Sequence, residues 1–196
     1  MDDSHQMGRQ AMPARRYALL IRGVNVGTKN SLPMLELRAM LTALGCGDVQ
    51  TYVQSGNAVF ATTLGAAAVT KEIERALEQY MGRPIATTLR TQQQLRAIID
   101  ANPFAGVATN PSNLCVTFLS ERPARSAIAA LVAQAWTPEQ VLVSGTEIYT
   151  WHPNGQGRSP LREALAKLPL RDAVTTRNWN TVVKLLELIG RESLEA

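Results

Sequence analysis

One α+β pattern written twice is what this sequence predicts, and three observations predict it. Strand and helix signals follow the order β-α-β-β-α-β-α from residue 17, and the same order returns from residue 114. Between the two runs, residues 102–113 are crowded with breakers (Asn102-Pro103, then Pro111-Ser112-Asn113), the composition of a boundary. Each run also holds two strand signals joined by a short glycine turn, Ser55-Gly56 in the first and Ser144-Gly145 in the second. A βαββαβ core is the split βαβ, or ferredoxin-like, arrangement. Right-handed crossovers then make each copy a four-stranded antiparallel sheet with helices on one face. The expected organisation is an extension at 1–16, a ferredoxin-like subdomain at 17–101, a linker at 102–113, a second such subdomain at 114–190 and a tail at 191–196.

The elements follow in order. An apolar run at 17–22 reads as a buried strand that stops at Arg22. Helix 33–44 carries Leu37, Met40, Leu41 and Leu44 at i, i+3, i+4 and i+7, with Gly45 as its stop. Residues 49–54 and 58–62 form the first hairpin. Helix 66–81 sets Val69, Ile73, Ala76, Leu77 and Tyr80 on one face and ends at Gly82 and Pro84, ahead of a strand at 85–90. Thr91-Gln92-Gln93-Gln94 fits a capping box for a short helix containing Leu95, Ile98 and Ile99.

In the second copy, 114–119 is a strand and 124–135 a helix with Ile128, Leu131, Val132 and Ala135 on one side. Residues 141–143 and 147–151 form the second hairpin. Ser159 and Pro160 open a helix at 161–168. A strand at 173–176 and a helix marked by Val182, Leu185, Leu186 and Ile189, stopped at Gly190, complete the pattern.

Composition narrows the class. At 45% hydrophobic and 18% charged over 196 residues the chain is an ordinary globular one, long enough for a sizeable core. No apolar run reaches the roughly 18–20 residues of a membrane span. The first sixteen residues mix Asp2 and Asp3 with Arg9, Arg15 and Arg16 and hold no apolar stretch, so they do not read as a secretory signal. Cys46 and Cys115 stand far apart, outside any CxxC or Cys/His cluster, which argues against zinc and a disulfide framework. A cytoplasmic location follows as the expectation. The net charge of +4 permits an anionic or nucleic-acid partner without demanding one.

Topology groups the polar loops. In the first copy the first two strands run the same way, so the loop at 23–30 should lie beside the turn at 54–57. In the second copy the third and fourth strands do so, bringing the loop at 153–159 beside residues 177–180. These four segments carry the residues of interest: Arg22, Asn25, Lys29, Gln54, Ser55 and Asn57 from the first copy, and Arg158, Ser159, Arg177, Asn178 and Asn180 from the second. Arginines and a lysine among Gly/Asn backbone suit an anion, and asparagine amides orient a ligand. The competing reading is that the asparagines cap helices and hold turns, and that the arginines bond loop carbonyls. At Gly157-Arg158-Ser159-Pro160 a helix start offers free N–H groups and the positive end of a dipole to phosphate.

Four of these motifs together resemble the DUF1697 family. They are Arg22-Gly23-Val24-Asn25-Val26-Gly27, the run 51–60 with Gln54-Ser55-Gly56-Asn57 at its centre, Asn154-Gly155-Gln156-Gly157-Arg158-Ser159, and the run 176–182 around Arg177-Asn178-Trp179-Asn180. The resemblance runs from residue 17 to about 189. It implies a bacterial-type protein of two ferredoxin-like subdomains with no assigned activity, and it brings no catalytic residues with it.

The chemistry therefore rests on the residues. No stretch spells GxGxxG or GxxxxGK[ST], so no dinucleotide or P-loop cofactor is expected. The glutamates show no spacing for a metal or for paired acid–base catalysis, and no metal is expected. His152, the one histidine beyond the extension, has no triad motif around it in the sequence. Trp179 between two asparagines suits either stacking on a base or anchoring in a core. The expected function is binding of an anionic small molecule, a nucleotide or phosphorylated metabolite. Nucleic-acid binding, which lacks an aromatic RNP1 strand here, and an enzyme built on positioned Arg, Asn and Ser are the alternatives. The sequence leaves the oligomeric state open.

Overall fold

The structure, a computed structural model, describes residues 13–26, 31–170 and 175–191. In chain order the first half comprises β1 (Arg15–Ile21), α1 (Met34–Ala43), β2 (Gly47–Tyr52), β3 (Asn57–Thr62), α2 (Ala66–Met81), β4 (Thr87–Arg90) and α3 (Gln92–Asp100). The second comprises β5 (Leu114–Phe118), α4 (Arg125–Ala133), β6 (Gln140–Ser144), β7 (Glu147–Trp151), α5 (Pro160–Ala166), β8 (Thr175–Asn178) and α6 (Trp179–Ile189). Two four-stranded sheets result, ordered β2-β3-β1-β4 and β6-β7-β5-β8, antiparallel throughout. This is the ferredoxin-like strand order in both halves.

Alternation along the central strands explains how the two sheets stack. On β1, Tyr17, Leu19 and Ile21 point to a core shared with Leu37, Leu41, Val69, Ile73 and Leu77 of α1 and α2. Ala18 and Leu20 point the opposite way, into a second core. That core also receives Leu114, Val116 and Phe118 from β5, Tyr149 and Trp151 from β7, Leu95 and Ile98 from α3, and Val182, Leu185 and Ile189 from α6. Helices α3 and α6 thus form one layer between the two sheets. Each buried side chain of this kind stabilises the fold by roughly 1.5–3 kcal/mol. The sequence predicts helices on one face of each sheet, and the shared middle layer covers the other.

Polar ties cross the same divide. Tyr149 Oη donates to the Ile98 carbonyl at 3.0 Å, fastening the second sheet to α3. Arg90, at the end of β4, donates to Glu147 Oε1 from Nε at 3.1 Å and Nη2 at 2.9 Å, and to the Leu119 carbonyl at 2.9 Å. Its guanidinium lies 5.5 Å from the centre of the Phe118 ring. Both partners of the ion pair are largely removed from water, with side-chain exposures of 8% and 13%.

Local signals are obeyed where the chain turns. Thr91 accepts from the Gln94 N–H while Gln94 Oε1 accepts from the Thr91 N–H, which is the capping box in full. Gly56 adopts φ 72° in the β2–β3 turn, and a Cβ there would stand 2.5 Å from Val24 Cγ2. Glycine is required on both counts. Several expected boundaries move, with β1 beginning at Arg15 rather than 17 and β4 at Thr87 rather than 85. Arg177 and Asn178, read from the sequence as a loop, are the last residues of β8, pairing with Val116 and Cys115, while residues 173 and 174 of the expected strand lie outside the described residues.

Because the Arg90–Glu147 pair is desolvated, removing one partner leaves the other charge stranded. Arg90→Met or Glu147→Leu alone is expected to cost about 3–5 kcal/mol, and the double variant to recover most of that loss. Urea unfolding of the three variants checks this; additive losses would show that the pair is not coupled.

Candidate functional site

The first loop cluster is closed by its own side chains. Asn25, at φ 56°, donates from Nδ2 to the Leu32 carbonyl at 2.8 Å and the Gln54 carbonyl at 2.6 Å, and its Oδ1 accepts from the Leu32 N–H at 2.7 Å. The loop after β1 and the β2–β3 turn are therefore neighbours, as the strand directions require. Asn57 is fully buried and donates to the Tyr52 carbonyl and to Ser55 Oγ. Gln54 is exposed at the turn. Lys29 lies outside the described residues.

Arg177 reaches into this cluster from β8 of the other half. Its Nε donates to Asn57 Oδ1 at 2.5 Å, and Nη2 to the Ile21 and Ser55 carbonyls at 2.9 and 2.8 Å. Nη1 donates to Thr175 Oγ1 and the Thr176 carbonyl. A guanidinium has five N–H donors, and here each has an acceptor. Burial pulls Arg177 down to about 10, so it stays charged at neutral pH. Arg177, Asn57 and Asn25 are thus engaged in holding the loops together.

The second cluster is also joined as expected. Asn180 Nδ2 donates to Ser112 Oγ at 3.1 Å, and Gln156 Nε2 to the Ser112 carbonyl at 3.2 Å. Asn178 caps α6, its Oδ1 accepting from the Thr181 N–H and hydroxyl at 3.0 and 2.9 Å. Ser159 caps α5, accepting from the Arg162 N–H at 2.9 Å. At that helix start the Leu161 N–H donates to Glu139 Oε2 at 3.1 Å, so the protein's own carboxylate sits where a phosphate would. Arg158 is exposed and lines a separate groove beside Trp136 and Pro138.

Where the two clusters approach each other there is a cavity of about 390 Å³ against the outer face of the second sheet. Its floor is polar. Cys115 stands opposite Thr150 on β7 and Asn178 on β8, and Thr117 bonds Thr176 at 2.8 Å through their hydroxyls. Arg22 enters from the first half, and Arg162 and Gln156 from the second. Burial pushes the Cys115 thiol up to about 12 against the pull of the Arg162 charge, so the thiol is inert. Among the described residues the Arg22 guanidinium and the Asn178 amide nitrogen have no protein acceptor, and Arg162 makes one side-chain bond, to the Gln156 carbonyl at 3.3 Å.

Sequence reasoning missed the group behind this floor. His152 is buried; its Nδ1 lies 2.7 Å from Glu139 Oε1 and 3.0 Å from Ser159 Oγ, and its Nε2 lies 2.9 Å from Thr150 Oγ1. Burial works to raise the Glu139 carboxyl, but hydrogen bonds from Ser159, His152 and the Leu161 N–H together hold it below the ordinary carboxylate value. The available signal was period-2 polarity at Cys115/Thr117, Thr150/His152 and Thr176/Asn178, three pairs that share one sheet face. Among the described residues no three His, Cys, Asp and Glu stand together as metal ligands, and no helix is long and apolar enough to cross a membrane.

Comparison with known proteins bears on this frame. A family model described as "Protein of unknown function (DUF1697)" matches residues 14–149. A conserved bacterial protein of Streptococcus pneumoniae, SP0830, has a similar solved structure, with a TM-score of 0.75 and 26% identity over 90% of this chain and 99% of that one. No curated protein matches.

Glu139 yields a pH prediction. Its folded value is depressed, so its contribution to stability is present above the ordinary carboxylate value and is lost as pH falls through the folded one. Glu139→Gln should therefore unfold at lower denaturant than wild type at pH 7, with the gap closing on acidification below the usual carboxylate range. A constant gap across that window would show that the carboxylate charge contributes nothing.

Proposed function

We propose that this chain, which belongs to the DUF1697 family, binds a small anionic molecule, a nucleotide or phosphorylated metabolite, in the cavity on the outer face of its second sheet. One observation carries the reading. Arg22, Arg162 and the Asn178 amide come from three separate segments, meet at one cavity, and are nearly without acceptors among the described residues. Donors gathered at a cavity without acceptors suit a ligand that brings acceptors and negative charge. The volume of about 390 Å³ suits a small molecule. Thr176 and Gln156 at the wall add uncharged polar contacts.

Five of the other sequence candidates have supporting roles here. Arg177, Asn57, Ser55 and Asn25 hold the end of β1 that delivers Arg22, and Ser159 holds the helix that delivers Arg162. A cytoplasmic location belongs to the same proposal. Its support is two free, buried cysteines, which suit a reducing compartment.

Thermal-shift titration with inorganic phosphate, nucleoside phosphates and sugar phosphates tests the reading. A ligand at 100 times its dissociation constant adds about 2.7 kcal/mol of stability. Arg22→Ala and Arg162→Ala should each weaken binding by about tenfold or more, roughly 1.4 kcal/mol. Arg158→Ala, on the separate groove, should leave it unchanged. Equal binding in all three folded variants would remove the cavity as the site.

A further inference from the structure

We infer that the floor of the same cavity is a catalytic site for acyl transfer, with Thr150 as nucleophile and His152 as its general base, acting on a small carboxylic ester that also carries an anionic group. The inference rests on the anion-binding reading of the cavity and adds chemistry to it.

Connectivity is the argument. Glu139, His152 and Thr150 are joined in the order acid, imidazole, hydroxyl. The acid lies at Nδ1 (2.7 Å) and the hydroxyl at Nε2 (2.9 Å), with Thr150 and His152 both lining the cavity. That is the order in which an alcohol nucleophile is activated. The tautomer follows from the donors around Glu139. Its Oε1 lies 2.7 Å from Nδ1 and its Oε2 accepts from the Leu161 N–H, while Ser159 Oγ, 3.0 Å from Nδ1, accepts from the Arg162 N–H. An ionised carboxylate accepts only, so the imidazole proton sits on Nδ1 and the Nε2 lone pair accepts the Thr150 hydroxyl proton. Ser159, although it too touches the imidazole, is on the Nδ1 side with its hydroxyl already engaged. The neighbouring Cys115 is excluded because its thiol is held protonated.

In the reaction, Thr150 Oγ1 bonds to the ester carbonyl carbon while its proton passes to His152 Nε2. The carbonyl oxygen takes up the negative charge, and the Asn178 amide and the arginine guanidiniums are the donors at hand. Collapse breaks the bond to the leaving alcohol, which takes the proton from Nε2. Water then adds to the acyl-threonine by the same proton path, releasing the acid and restoring Thr150. Glu139 is a positioning residue that fixes the tautomer.

The test uses the full chain and two probes, mono-4-nitrophenyl succinate and uncharged 4-nitrophenyl acetate. Wild type should raise nitrophenolate release over the rate in buffer by a larger factor for the anionic ester than for the acetate, and intact mass followed by peptide mapping should place one succinyl group on Thr150. Thr150→Val should lose adduct and turnover by about 100-fold or more, whereas Thr150→Ser should keep both. In Glu139→Gln, imidazole nitrogen chemical shifts should report loss of the Nδ1–H tautomer in a chain whose amide spectrum stays folded. Succinate monoamide, which cannot acylate, separates the two readings in a thermal shift. Monoamide binding with no succinylation of Thr150 overturns the catalytic inference alone. Absence of binding by any anionic probe overturns the cavity reading with it. Equal turnover in Thr150→Val also sinks the inference.

Discussion

Arg177 is the constraint on which the rest of the arrangement depends. It sits on the edge strand of the second sheet, yet its fork closes on Asn57, Ser55 and Ile21 of the first. An arginine placed there needs five acceptors, and the end of β1 and the β2–β3 turn supply those that β8 lacks. The turn it grips contains Val53 at φ 48°, a conformation that costs a β-branched residue of order 1–3 kcal/mol. Hydrogen bonds from Arg177, Asn57 and Asn25 fall on this turn and offset that cost. With the end of β1 held against β8, Arg22 is carried to the face of the other sheet.

The middle layer explains why a cavity opens on that face. Helices α3 and α6 fill the gap between the sheets and bury the apolar sides of β5 and β7. The outer side of the second sheet keeps a smaller core, Leu119, Leu131, Ile148, Leu161 and Leu165. Helix α5 spans only Pro160–Ala166, and beside it the sheet presents Cys115, Thr150, Thr176 and Asn178 instead of apolar side chains. Polar groups in such a position need partners, and among the described residues each buried side-chain polar atom has one. The Arg22 guanidinium and the Asn178 amide nitrogen, which have no protein acceptor among the described residues, face the cavity.

Charge at the start of α5 obeys the same economy. A helix N-terminus attracts an anion, and Glu139 fills that role from the loop before β6. The carboxylate then does two jobs, completing the helix start and orienting His152. One anion cannot be replaced by a ligand without releasing the imidazole, so the helix start and the histidine form one unit.

Much of the fold was legible in the chain. Period-3.6 stripes such as Val69, Ile73 and Leu77 located the helices, and Ser55-Gly56 and Ser144-Gly145 located the hairpins. Thr91 and Gln94 announced a cap, because these features act over a few residues and need no distant partner. The pairing of loops was legible too, since strand directions alone determine which loops share an edge. The site was only half legible. Arg22 and Asn178 stood out by type, but nothing local separates an arginine left open toward a cavity from one such as Arg177, whose donors are all spent on the carbonyls and side chains around it. Thr150, His152 and Glu139 were silent because their relation runs between two strands, β6 and β7, and a helix start. What the sequence by itself determined was the set of elements and their order, governed by short-range propensity and burial. Which polar groups are paired and which face open space was decided only in the tertiary structure, because hydrogen-bond partners are a matter of distance in space, and the stacking of the two sheets sets those distances.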